Sequence, residues 1–189
     1  MAFVEPVTLR DRGVRLEPLA LAHNELNHSE SSVSDMSLAI RNNPNNYVYR
    51  RVRGDFYRRG GALDQAISDY TDAIRMAPRD PKTFISLGDL LLFNKKDAAA
   101  AVNVFSKVLE GDPSNSTALV ERARAYWQMD QLELAMTDLN RAEKLAPNNP
   151  SVYDFRGDIL LARREYEKAL NDYLTAVKID GNNAVYQTD

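Results

Sequence analysis

Cysteine is absent from all 189 residues. That excludes disulfides, thiolate metal sites and thiol nucleophiles together. Histidine is nearly as scarce: His23 and His28 stand alone, at a spacing that suits no helical metal pair, and both read as solvated surface residues. Glycine and proline, 8 of each, are too few for a fibrous or disordered chain. No apolar run approaches the ~20 residues a membrane helix needs. The start, MAFVEPVTLRDRG, lacks the basic segment and apolar core of a secretory signal. The expected chain is therefore soluble, with no membrane partner. It is expected to be cytoplasmic, or periplasmic if a leader has been removed.

Concentrated positive charge is also missing. The net charge is −3, whereas a nucleic-acid binder needs a basic stripe. Arg50, Arg51, Arg53, Arg58 and Arg59 cluster, but equivalent positions later in the chain turn apolar or acidic. They read as a solvated helix face with their stems laid on apolar neighbours, and no nucleic-acid partner is expected. There is no Gly-rich phosphate loop, no Gly-x-Ser-x-Gly elbow and no His-Glu-x-x-His. Hence no enzyme activity, cofactor or metal is expected. The sequons at Asn27 and Asn115 are accidental if the chain is not secreted.

What the sequence does have is 44% hydrophobic residues, enough for a core, and a period. Gly54, Gly88, Ala123 and Gly157 recur at 34, 35 and 34 residues. Ala66, Ala101, Ala135 and Ala169 keep step. So do Tyr70, Phe105, Leu139 and Tyr173, and again Ala73, Val108, Ala142 and Ala176. Pro78, Pro113 and Pro147 close three units, and Gly181 breaks that run. Each unit carries two apolar stripes at helical spacing. Small residues at the first two columns let a pair of helices approach, and the aromatic column fills the space between them. Proline ends each pair, after Asp/Asn-rich segments such as APRDP, GDPSN and APNNP.

The period and residue types resemble the tetratricopeptide repeat, a helix-turn-helix unit of about 34 residues. The resemblance implies an all-α array of stacked hairpins, a right-handed superhelical α-solenoid. The repeats are 47–80, 81–115, 116–149 and 150–183. The extra residue of the second is expected in its helix-helix turn, near Asn94–Asp97. Ahead of them, Ser32 to Asp35 has capping-box spacing before MSLAIRNN. That predicts a helix over 34–42, with 34–46 the remainder of a degenerate leading repeat and 1–33 irregular. Residues 184–189 are a tail or the start of a further repeat. Residues 7–23, VTLRDRGVRLEPLALAH, resemble the opening of acetyltransferases of the GNAT superfamily. The acetyl-coenzyme A loop of those enzymes is absent, so the stretch reads as a fusion remnant or capping segment.

The family resemblance further implies a concave groove lined by the first helix of each repeat and holding a peptide or helix of a partner protein. Its fifth positions are Arg51, Ile85, Val120 and Asp154. The ninth are Asp55, Asp89, Arg124 and Asp158, and the twelfth Arg58, Leu92, Trp127 and Leu161; Arg59 and Phe93 stand at the thirteenth. Apolar anchors among acids favour a partner with Lys or Arg. The subfamily clamp for chaperone C-termini is missing. Its positions hold Arg51, Asp55, Ser86, Thr117 and Glu121 in one register, and Ile85, Asp89, Glu121, Ser151 and Phe155 in the next. Two alternatives to a groove-binding scaffold remain. One is a structural module that forms a homo-oligomer through an uncapped last repeat, where Tyr166, Leu170, Tyr173 and Val177 would be exposed. The other is a fragment of an enzyme fusion.

Arg53-Gly54-Asp55 returns as Arg156-Gly157-Asp158, the tripeptide of adhesion ligands. Both glycines fall in the column where helices touch. The tripeptide is therefore expected inside a helix, its arginine along the helix pair and its aspartate toward the groove.

Overall fold

A computed structural model describes residues 29–184, and among these it is helical throughout with no strand. The chain divides into two compact units, at Met76 and Ala77. Unit 1 contains α1 (Ser29–Asn42), α2 (Tyr47–Arg59) and α3 (Leu63–Met76). Unit 2 contains α4 (Pro81–Asp89), a π-helical turn (Leu90–Asn94), α5 (Ala98–Gly111), α6 (Ser116–Gln128), α7 (Leu132–Leu145), α8 (Pro150–Ala162) and α9 (Tyr166–Ala184).

Each hairpin opens on a polar cap. The side chains of Asn46, Asp80, Asn115 and Asn149 accept backbone N–H bonds at the starts of α2, α4, α6 and α8. Each such cap contributes ~1 kcal/mol. The turns between paired helices place Gly61, Lys96, Asp130 and Arg164 at φ of 59–78°. Only the first is a glycine, so three side chains tolerate the left-handed region there.

In unit 1, Met36, Ala39 and Phe56 form a core with Val33, Tyr49 and Val52 packed on it. This explains a departure from the sequence reading. Helix α1 begins at Ser29, ahead of the expected 34, because Val33 joins the apolar stripe and extends it N-terminally. Ser32 lies inside the helix and is buried, so it is no capping box.

In unit 2 one core runs from Val108 and Leu109 through Leu119, Val120, Leu139 and Val152 to Ile159 and Ala176. A second joins Leu92, Ala101, Phe105 and Ala125. The extra residue is not in the turn. The glycine-column residue and the left-handed turn residue lie 7 apart in three repeats (Gly54–Gly61, Ala123–Asp130, Gly157–Arg164) and 8 apart in Gly88–Lys96. The surplus is absorbed one turn earlier, where the Lys95 N–H reaches the Leu90 carbonyl at 3.0 Å, an i→i+5 bond.

The last helix also differs from expectation. Helices α3, α5 and α7 have 14 residues each, whereas α9 has 19. Gly181 stands where proline closes the earlier repeats, and glycine does not block a helix. The helix therefore runs through the expected repeat boundary at 183.

Candidate functional site

The Arg-Gly-Asp columns fix which side chains remain free to bind. In unit 1, Arg53 grips the buried Asp69 through two bonds, Nε to Oδ2 at 2.8 Å and Nη2 to Oδ1 at 2.7 Å. Its Nη1 donates to Ser37 Oγ of α1 at 3.0 Å. In unit 2, Arg122 repeats this with Asp138 (2.7 and 2.8 Å) and Ser106 (3.0 Å). Arg156 repeats it with Asp172 (2.7 and 2.9 Å), Asn140 (3.3 Å) and Glu143. Each arginine thus ties its own helix pair together and reaches back to the preceding helix. The bidentate bond to the aspartate holds all three guanidiniums above their ordinary value, against the opposing effect of burial.

The second repeat breaks the column twice over. Leu87 replaces the arginine, and Val104 stands where the aspartate would be. The same two columns thus hold an ion pair in three repeats and two aliphatic residues in the second.

The glycine of each tripeptide is a contact. A Cβ on Gly54 would sit 2.7 Å from Tyr70, and one on Gly157 2.7 Å from Tyr173. The aspartates accept from those same rings: Tyr70 OH to Asp55 Oδ1 and Tyr173 OH to Asp158 Oδ1, both 2.7 Å. Desolvation, then the bond to Asp158 and the charges of Asp158 and Asp154, push the Tyr173 phenol up to about 12. The neutral phenol is favoured in the fold, so its contribution is present below about pH 10 and is lost toward 12. Ultraviolet titration should show a Tyr173 ionisation that moves down toward 10 in Asp158→Ala. A titration unchanged by that substitution would contradict the assignment. The tripeptide is a helical packing column, with its arginine spent on stapling.

Unit 1 offers little free charge among the remaining candidates. Arg51 pairs with Asp55 at 3.2 Å, Arg58 is half-buried, and Arg59 is exposed.

Unit 2 is different. Counting back from the left-handed turn residue, Phe93, Trp127 and Leu161 each stand three places earlier, and they are 40%, 39% and 48% exposed. The π-helical turn creates this alignment. It rotates Leu92 into the core with Phe105 and brings Phe93 out to the place of Trp127. Leu92 is therefore not a groove residue. Neither is Val120, which is buried in the core with Val152 and Phe155. Ile85 packs against that core and Asp89 is half-buried.

Around Trp127 the expected residues do converge. Its ring meets Phe155 edge-on, with centroids 5.1 Å apart and planes at 65°. The Arg124 guanidinium covers the same Phe155 at 5.2 Å and lies 3.8 Å from Glu121. Phe155 is the residue sequence reasoning missed, since it was weighed only as a failed clamp position. Asp154 and Asp158 are exposed nearby on α8. Partial desolvation, then repulsion from Asp180 and Asp158, pushes the Asp154 carboxyl up, while Arg124 pulls it down. The face therefore combines an exposed indole, a half-engaged arginine and mutually repelling carboxylates. None of these groups is a nucleophile poised beside a base. Among the described residues no cluster of metal-ligating side chains occurs, and no helix is long and apolar enough to cross a membrane.

Family models described as tetratricopeptide repeat match residues 18–81, 92–159 and 150–183. The chain belongs to the tetratricopeptide repeat proteins. Human tetratricopeptide repeat protein 6 is 29% identical over 170 residues, covering 85% of this chain and 32% of its own length. Small glutamine-rich tetratricopeptide repeat-containing protein 2 of Mycosarcoma maydis is 30% identical over 90 residues, covering 48% of the chain and 26% of its own length. The chain thus spans a third or less of these curated relatives. In fold it is similar to MamA from Desulfovibrio magneticus RS-1 (TM-score 0.72, 15% identity, 90% of this chain and 96% of that one). It is also similar to PilW, a type IV pilus biogenesis factor (TM-score 0.75, 18% identity, 86% and 76%). Tetratricopeptide repeat membership supports a protein-interaction scaffold role. The acetyltransferase-like stretch at 7–23 lies outside the described residues.

Proposed function

We propose that the chain is a non-catalytic scaffold whose unit 2 binds a peptide or helix bearing apolar and basic side chains along its first-helix face. The observation that carries this reading is Trp127, the sole tryptophan, 39% exposed and braced edge-on by Phe155. An indole held by one ring and open on its other side is a ready anchor, because little ordering entropy is lost when a partner covers it. Leu161 and Phe93 extend the apolar column, and Asp154, Asp158 and Asp180 supply the charge for a lysine or arginine. In unit 1 Arg51, Asp55 and Arg58 occupy the corresponding positions.

Titration of Trp127 emission with arrayed basic-apolar peptides tests the reading. Trp127→Ala should weaken the selected peptide at least tenfold, about 1.4 kcal/mol or more; for this variant, labelled-peptide anisotropy replaces emission. Asp154→Lys should do the same through charge reversal. Affinity should also fall as pH is lowered through the raised Asp154 pKa, because the protonated carboxyl no longer attracts a cation. Unchanged binding in both variants would sink the proposal.

A further inference from the structure

A cavity of about 310 Å³ opens in unit 2 where α4 begins and α5 ends. Pro78, Pro81, Phe84 and Val108 wall it, and Arg79 and Lys107 line it as well. Its size is at the lower end of the range for ligand sites, roughly 300–1,000 Å³. Both cations are exposed, and neither side chain has an ion pair or hydrogen bond among the described residues. The neighbouring acids are committed elsewhere. Asp112 accepts from the Ser114 N–H (3.0 Å), the Ser114 hydroxyl (2.6 Å) and the Asn115 amide (3.4 Å). Asp80 accepts from the Thr83 N–H (3.1 Å) and hydroxyl (2.6 Å).

The other repeats show what is missing at this corner. Gly111 stands where they carry Met76, Leu145 and Ile179. A Cβ added to Gly111 would meet nothing within 4 Å. The proline carbonyl ahead of each repeat differs in the same way. Arg50 donates to the Pro44 carbonyl (2.7 Å), Arg141 to that of Pro113, and Tyr153 to that of Pro147 (2.9 Å). In the second repeat Phe84 stands in the column of Arg50 and Tyr153, and it has no group to donate. Lys107 stands in the column of Arg141 and makes no bond to Pro78. One large side chain and one donor are thus absent from the same place, beside two unengaged cations.

Apolar exposure alone names no ligand, as on α9, where Tyr166, Leu170 and Val177 are exposed and Tyr173, expected with them, is turned inward to Gly157 and Asp158. At this cavity the charges do. An apolar side chain would bury area against the two prolines, Phe84 and Val108. A carboxylate next to it would meet Arg79 and Lys107, where bonds between charged groups are the strong ones. The Pro78 carbonyl is open to a backbone N–H.

We propose that this cavity binds an apolar side chain of a partner peptide that has a carboxylate directly beside it. The site shares no residue with the face around Trp127 and selects the opposite charge, so it does not depend on that reading.

Three short peptides serve as probes of the full chain, followed by the amide chemical shifts of Lys107 and Val108. The first is Gly-Ser-Glu-Leu-Glu-Ser-Gly with both ends blocked. The second has lysine for both glutamates. The third, acetylated Gly-Ser-Gly-Ser-Leu, ends in a free carboxylate. The first, the third or both should move these amides saturably, which tells a side-chain carboxylate from a chain terminus. The lysine peptide should bind at least tenfold more weakly. Gly111→Leu, which restores the large side chain of the other repeats, should abolish the shifts without lowering the melting temperature. Arg79→Glu, at an exposed site, should weaken binding at least tenfold, and Trp127→Ala should leave it intact. Failure of both carboxylate peptides to bind up to millimolar concentration, equal binding of the lysine peptide, binding undisturbed by Gly111→Leu or by Arg79→Glu, or its loss in Trp127→Ala would each overturn the proposal.

Discussion

Arg122→Leu is expected to destabilise unit 2 by about 3 kcal/mol, and adding Asp138→Val should return most of that loss. The single substitution strands Asp138, which is 4% exposed and receives two guanidinium bonds. Removing one partner of a buried pair costs ~3–5 kcal/mol, because the remaining charge keeps its desolvation penalty without its compensation. It also takes away the donor that reaches Ser106 of the preceding helix. The double variant converts the position to Leu87/Val104, which the second repeat already carries. Well-packed apolar replacements of buried pairs are commonly close to neutral. Trp127 lies in the same helix as Arg122, so urea unfolding followed by its emission reports on the altered repeat. Nearest-neighbour coupling in repeat arrays should confine the effect to α5, α6 and α7. A double variant no more stable than the single one would show that the staple is irreplaceable there, and the equivalence of the two pairs would fail.

The same staple shows how far the sequence could be read. The fold was legible because its signal is local and repeated: glycine, alanine, aromatic and proline columns at one period define where helices touch and stop. The Arg–Asp pairs were not found, although Asp69, Asp138 and Asp172 each lie 16 residues after their arginine. Their joint loss at Leu87 and Val104 was the available clue, a paired substitution within one chain. Leu92 was misassigned for a different reason. One residue inserted in a helix turns everything beyond it by about 100°, and the π-helical turn that absorbs it holds Leu92. Val120 was misread because the fifth position faces outward only where its neighbours leave it open, and here it lies in the buried core that also holds Val152 and Phe155. The extension of α9 followed from a proline that was absent. The partner is the least legible part, because a binding face is defined by what it fits rather than by its own periodicity.

Gly88→Ala should cost about 2 kcal/mol, while the same change at Gly157 should be close to neutral. A Cβ on Gly88 would stand 2.4 Å from Phe105 Cε1 and 2.5 Å from its Cζ. Phe105 is fully buried and enclosed with Leu92, Ala101 and Ala125, so the ring has nowhere to go. Overpacking of this kind costs ~1–3 kcal/mol and falls at the upper end when nothing can move. Better helix propensity offsets ~1 kcal/mol of it. At Gly157 the overlapping ring is Tyr173, which is half-exposed and can swing outward, so the propensity gain roughly cancels the strain. The third repeat shows the other solution, since Ala123 faces Leu139 in place of an aromatic. Phe105→Leu alone should lose ~1–2 kcal/mol through the cavity it leaves. Combined with Gly88→Ala it should recover stability, because the added methyl group occupies the space the ring vacates. The coupling between the two sites, read from a double-mutant cycle of unfolding free energies, should therefore be favourable by at least about 1 kcal/mol. Additive losses at the two sites would mean that the glycine is not retained for the ring, and that the columns record helix approach without side-chain complementarity.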